Sequence, residues 1–104
     1  MHIIVFVTTK NKSEAQRLAT KLITQKLIAC ANIVSNVESH FWWQGKISKS
    51  REALLILKTR KSLFSKLEKE IKALHSYSVP EIIALDIIRA NKSYLNWINN
   101  SVKG

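Results

Sequence analysis

The sequence predicts an α+β fold in which helices cover one face of an antiparallel sheet and a long β-hairpin projects beyond it. Apolar runs typical of strands alternate with apolar stripes at helical spacing, in the order β-α-β-β-α-β-α. The chain has 104 residues, of which 46% are apolar, which suits one domain with one core. We therefore predict a single domain over residues 1–104.

The first predicted unit is a strand followed by an amphipathic helix. Residues 3–8, IIVFVT, form a continuous β-branched and aromatic run, which is typical of a strand covered on both faces. Asn11 is placed to cap the next helix, and Glu14 stands where a capping-box partner belongs. The predicted buried stripe of this helix consists of Ala15, Leu18, Ala19, Leu22 and Ile23.

A hairpin is predicted around Gly45, where the chain needs a turn conformation that bulky residues resist. If residues 31–43 form one strand, it spans about 40 Å, which exceeds the diameter of roughly 33 Å expected for a globule of this length. The hairpin end also carries three aromatic rings in a row, and an exposed apolar patch usually marks a contact. We expect the contact to be another copy of the chain. The residues predicted to share one face of the first arm are Ala31, Ile33, Val37, Phe41 and Trp43.

After the hairpin, the sequence predicts a second helix and then another strand. Ser62 is placed to cap a helix that ends near His75, and Pro80 favours the entrance to a strand over residues 82–88. A short C-terminal helix follows. The element order predicts a ferredoxin-like split β-α-β sandwich, with one sheet face left open and no further helix to cover it. The strands that begin at Ile3 and Ile82 are apolar on both faces, which is a second argument for assembly.

The composition limits the classes of function. One cysteine excludes an internal disulfide framework, and no window approaches the roughly 20 apolar residues that cross a bilayer. The N-terminus does not have the pattern of a signal peptide, so we expect a cytoplasmic protein without membrane insertion. The formal charge of +10 attracts anionic partners, but the positive residues are scattered and no nucleic-acid-binding motif accompanies them. We therefore do not expect nucleic acid as a partner.

No catalytic constellation is visible, so an enzyme is not expected. Gly45 and Gly104 are the only glycines, which excludes a glycine-rich phosphate loop. Cys30 and the histidines are the only material for a soft-metal site, and one chain offers too few of them for a closed tetrahedral site. Cys30 is either an inert core thiol or a ligand to copper or zinc. His75, at a helix end, either bonds terminal carbonyls or binds metal.

Five segments in this order and spacing resemble the CutA divalent-cation tolerance family, over nearly the full length. They are KLIACANI at 26–33, SHFWWQGKI at 39–47, LLILKT at 54–59, HSYSVPEI at 75–82 and YLNWI at 94–98. The resemblance implies a non-enzymatic homotrimer whose hairpins reach across to neighbouring subunits. It also implies a role in tolerance to divalent metals, chiefly copper, with no cofactor required for folding.

The resemblance also implies the site residues. A copper site is implied near Cys30 and His75, and an inter-subunit cleft is lined by Trp43, Lys58, Tyr77 and Glu81. The hairpin rings predicted to make the trimer contact are Phe41, Trp42 and Trp43. The sequence departs from the usual family pattern at Phe41, Ser76 and Ser78.

Two alternative functions remain open at this point. The trimeric architecture is also similar to the nitrogen-regulatory PII proteins, which suggests a signalling protein that binds a small anionic ligand in the subunit cleft. The positive charge suggests a module that binds nucleic acid or another anionic surface, and such binding would weaken steeply with salt.

Overall fold

A computed structural model describes all 104 residues and confirms the predicted α+β fold. The elements are β1 (His2–Thr9), α1 (Lys12–Thr24), β2 (Cys30–Trp43), β3 (Lys46–Arg60), a 3₁₀ turn (Lys61–Leu63), α2 (Phe64–Leu74), β4 (Ile82–Asp86) and α3 (Lys92–Ser101). The last strand is shorter than predicted, since it ends at Asp86 and leaves Ile88 89% exposed. None of the helices is both long and apolar enough to cross a bilayer.

The four strands form one sheet in the order β2-β3-β1-β4. β1 pairs antiparallel with both β3 and β4, and β2 pairs antiparallel with β3. The parallel strands β1 and β2 are therefore separated by β3, which is the arrangement of a split β-α-β unit.

The hydrophobic core lies between α1, α2 and one face of the sheet. Alternate residues of β1 and β3 face this layer, which explains the alternating burial of both strands. Ile23, predicted to lie on the buried stripe of the first helix, remains 45% exposed. The core residues are Ile3, Val5, Val7, Ala15, Leu18, Ala19, Leu22, Leu27, Ile28, Ala53, Leu55, Leu57, Leu67 and Ile71.

α3 lies against the opposite face of the sheet, at the end where β1 begins. His2, which points away from the core, places its ring Nε2 2.9 Å from Asn99 Oδ1. Tyr94 lies near Cys30, at the start of β2, closely enough for Cys30 to raise the pKa of the Tyr94 hydroxyl. Ile98 is fully buried without belonging to the core between the sheet and the other helices. The expectation that no helix covers this face is therefore wrong at this end of the sheet and holds for the rest.

The predicted projecting hairpin is present. β3 pairs with β1 only from Ala53 to Arg60, so residues 46–52 have β2 as their only neighbouring strand. At the usual rise per residue this projection, called the arm below, extends about 23 Å beyond β1. Its turn is formed by Gln44 and Gly45, which have φ angles of 50° and 79°. Positive φ at both turn positions is typical of the type I′ turn of two-residue hairpins.

A β-bulge divides β2 into two parts. Val34 pairs with Leu54 and Val37 pairs with Glu52, so two residues of β2 lie opposite the single residue Ala53. Directly paired residues share a sheet face. Residues of β2 after the bulge therefore lie on the sheet face opposite to the one that strict alternation along the strand would give them.

The predicted single face of β2 is consequently wrong. Ala31 and Ile33 pair with core residues of β3 and face the helices, as expected. Val37, Phe41 and Trp43 pair with the opposite set of β3 residues and face away from α1 and α2. The bulge explains this difference, because its one extra residue reverses the order in which the following side chains alternate between the two faces.

Candidate assembly surface and metal-binding residues

The face of the sheet that turns away from α1 and α2 is apolar over most of its width; we call it the open face. It includes side chains from all four strands, because alternate residues of each strand point to it. Val34, Ile83 and Leu85 remain 45%, 49% and 49% exposed in a single chain. The apolar residues of the open face are Ile4, Phe6, Val34, Leu54, Ile56, Ile83 and Leu85.

The arm extends this apolar surface. Phe41 and Trp43 lie on the same side as the open face and are 41% and 60% exposed. Trp42 pairs with Ile47 on the other side of the arm, and these two side chains are 74% and 69% exposed. All three predicted contact rings are thus accessible in one chain, but they are divided between the two sides of the arm.

Cys30 lies at the opposite end of the open face from the arm. It is half-buried, lies outside the hydrophobic core, and its Sγ is 4.0 Å from Lys58 Nζ and 3.9 Å from Asn32 Oδ1. Lys58 also donates to Asn32. Burial raises the pKa of Tyr94, and the neighbouring Cys30 raises that pKa further. Cys30 therefore lies outside the hydrophobic core, and its role as a metal ligand stays a prediction.

His75 occupies a different place and is already fully hydrogen-bonded. Its ring is 8% exposed, Nε2 donates to the Thr8 carbonyl at 2.7 Å, and Nδ1 accepts from the Tyr77 amide at 3.0 Å. The proton belongs on Nε2, because a carbonyl can only accept. The His75 ring therefore bonds a carbonyl of β1, whereas the His75 backbone amide bonds the Ile71 carbonyl at the end of its own helix. To bind metal, one ring nitrogen must give up its bond.

Within one chain, Cys30 and His75 do not meet. Cys30 pairs with Lys58, whereas Thr8, the partner of His75, pairs with Leu54. Four residues along β3 correspond to about 13 Å. No three His, Cys, Asp or Glu side chains of the chain are close enough together to hold a metal ion. A site that uses both residues would have to draw them from different chains.

The four predicted cleft residues are also separated in one chain. Trp43 is at the tip of the arm and Lys58 is beside Cys30, at the two ends of the hairpin. Tyr77 and Glu81 lie in the segment between α2 and β4, near the base of the arm. Glu81 is exposed. A cleft lined by all four requires more than one copy of the chain.

The sequence did not reveal a hydrogen-bond network at the base of the arm, centred on Glu14. Asn11 caps α1 as predicted, by accepting from the Glu14 amide at 2.8 Å. The Glu14 carboxylate is only 3% exposed; it accepts from the Lys10 amide at 3.2 Å, and from the Ser76 amide and hydroxyl at 2.8 and 3.1 Å. Glu14 thus ties the start of α1 to the segment that carries His75.

Tyr77 continues this network to the arm. Its hydroxyl donates to Glu52 Oε2 at 2.7 Å, and Glu52 is the first residue of β3 beyond the end of β1. Burial, the bond to Glu52 and the negative charges of Glu52 and Glu14 raise the pKa of Tyr77 to about 12. The hydroxyl therefore stays protonated and remains a donor at neutral pH.

Comparison with known proteins gives a consistent family assignment. The family model for the CutA1 divalent ion tolerance protein matches residues 3–101. The rice protein CutA 1, chloroplastic, is 50% identical over 97% of this chain and 57% of its own length. The chain also spans 56% of the Arabidopsis thaliana protein CutA, chloroplastic, so it covers little more than half of these two relatives.

Other relatives match over their whole length. The divalent-cation tolerance protein CutA of Archaeoglobus fulgidus is 42% identical over 99% of this chain and 100% of its own. The solved structure of a periplasmic divalent cation tolerance protein CutA from that organism superimposes with a TM-score of 0.96, over 99% of this chain and 100% of that one, at 42% identity. The crystal structure of rice CutA1 has a TM-score of 0.97 at 49% identity, with 98% of this chain and 94% of that chain covered. The chain therefore belongs to the CutA1 divalent ion tolerance protein family.

Proposed function

We propose that the chain acts in divalent-cation tolerance as a homotrimer that binds copper or another divalent cation, without catalysing a reaction. The main support for assembly is the apolar surface of the open face, which continues along the arm. An apolar surface of this extent is costly to leave in water, and in a monomeric protein such patches rarely exceed a few hundred Å². The number of copies rests on the family resemblance.

The arm supplies the geometry for such an assembly. It projects beyond the sheet of its own chain, so its rings are out of reach of their own core and accessible to a neighbour. Each large aromatic side chain buries about 150–250 Å² when covered. Together with the open face, the three rings can supply the roughly 800 Å² per partner of a typical stable interface.

The proposed metal ligands differ in how well they fit. Cys30 fits, because a half-buried thiol at the edge of the open face can become a thiolate ligand, and thiolates favour copper and zinc. His75 fits only if one of its two hydrogen bonds breaks. Since one chain lacks the ligands for a closed site, we propose that neighbouring copies complete it. The cytoplasmic location and the single-domain organisation stay predictions.

Calorimetric titration with Cu²⁺ tests the metal assignment. We expect Cys30→Ser and His75→Ala each to weaken binding by about tenfold or more, because each removes a proposed ligand. His40→Ala is the matched control, since His40 is exposed on the arm beside Glu38 and is not a proposed ligand. Its affinity should equal that of the wild type.

The outcomes separate the two ligands. Unchanged affinity in Cys30→Ser would remove the thiol from the site, and unchanged affinity in His75→Ala would remove the imidazole. Because His75 is buried, thermal melting of His75→Ala should accompany the titration. Weak Cu²⁺ binding by a variant that melts like the wild type supports ligation, whereas weak binding by an unfolded variant supports only the structural role of the ring.

A further inference from the structure

The bulge in β2 lies where the arm leaves the sheet. Ser35 and Asn36 stand opposite Ala53, and Ala53 is the partner of Thr9, the last residue of β1. The sheet is three or four strands wide below this level and only two strands wide above it. The irregularity is therefore at the base of the arm.

Asn36 adopts a backbone conformation that most residues avoid. Its φ is 60°, in the left-handed region, where Asn is tolerated better than other non-glycine residues. Its side chain is exposed, so the position adds nothing to the core. The positive φ of Asn36 is therefore a feature of the bulge itself and not of packing in the core.

The extra residue is not needed to set the register of the hairpin. If one bulge residue is removed, Val34 still pairs with Leu54 and Val37 still pairs with Glu52, which leaves a regular ladder. The same side chains then face the same sides of the arm. The bulge instead changes the direction in which the arm points, because a bulged strand bends and its local twist increases.

We propose that the bulge at Asn36 aims the arm so that its Phe41 and Trp43 side meets a second copy of the chain. The occupant is a second copy because this side of the arm continues the open face, which the proposed trimer covers. The inference rests on the proposed function and adds a residue that positions the contact without touching it. A bend of about 10° at the base moves the tip by about 4 Å, since the tip is about 23 Å away.

Deleting Asn36 tests this role, with Asn36→Gly as the matched control because glycine keeps the bulge and adopts positive φ readily. The measurement is sedimentation analysis over a range of protein concentrations, with circular dichroism to follow folding. We expect the deletion to fold and to need about tenfold or more protein to assemble, whereas Asn36→Gly behaves like the wild type.

Every other outcome contradicts the proposal. Assembly of the deletion variant at wild-type concentrations would show that the bend is not required. A variant that stays unfolded at all concentrations would show that the bulge is needed for the chain to fold and not for aiming the arm. Species larger than the wild-type assembly would show that the bulge protects the free edge of β2 from pairing with other chains, which is another role of bulges. If the wild type itself is a monomer, the proposed homotrimer is wrong whatever the deletion variant does. The experiment therefore distinguishes failure of the proposed homotrimer from failure of the proposed role of the bulge.

Discussion

Replacing Phe41 and Trp43 together by alanine should convert the proposed trimer into separate chains. The two rings lie on the side of the arm that continues the open face, and they are 41% and 60% exposed in one chain. Truncating a buried aromatic side chain costs about 3–5 kcal/mol per site. Loss of two such contacts per chain is enough to move assembly out of the micromolar range. Light scattering after size-exclusion chromatography measures the mass directly.

Ile23→Ala is the matched control for this double variant. Ile23 is 45% exposed, close to Phe41, but it lies on α1, on the far side of the sheet from the open face. It should leave the mass unchanged. A Phe41→Ala/Trp43→Ala variant that keeps the wild-type mass at the same concentrations would exclude this side of the arm from the interface.

Glu14→Ala should lower the free energy of unfolding by about 3 kcal/mol, since hydrogen bonds to a buried charged group are worth more than average ones. The change removes the acceptor for the Lys10 amide and for both donors of Ser76. It also frees the segment that carries His75 and Tyr77. Chemical denaturation measures the loss, and Glu68→Ala is the control because its exposed pair with Lys72 contributes little.

The same carboxylate predicts a pH dependence. Burial by itself raises the pKa of Glu14, but the hydrogen bonds from Ser76 and Lys10 outweigh it and hold that pKa below its ordinary value. A lowered pKa in the folded state stabilises the protein above the unfolded pKa, and this stabilisation is lost as the pH falls through the folded pKa. Wild type and Glu14→Ala should therefore converge in stability at acid pH. A constant difference between them down to the lowest pH of folding would contradict this assignment.

Much of the fold could be predicted because its signals are local. The Asn11 cap and the turn at Gly45 each depend on neighbouring residues, and each appears as expected. The projection of the arm followed from length alone. The side on which Phe41 and Trp43 lie could not be predicted, because a bulge shifts the alternation and exposed Ser35 and Asn36 give no apolar pattern that would reveal it.

The candidate site was less predictable because its contacts join distant segments. Glu14 carries a capping-box signal, but its bonds to Ser76 come from the packing of α1 against the segment after α2. Tyr94 reaches Cys30 only because α3 crosses the open face, and an amphipathic stripe does not say which face of a sheet a helix covers. The separation of Cys30 from His75 depends on strand register, which the sequence pattern does not determine.

The mass of the wild-type protein in solution shows directly whether three copies of the chain assemble. Native mass spectrometry at low micromolar concentration should give three times the 11.9 kDa of one chain. The mass should not depend on added Cu²⁺, because the assembly is attributed to apolar burial rather than to metal. A mass of one chain under these conditions would contradict the account, since the open face and the rings of the arm would then have no partner.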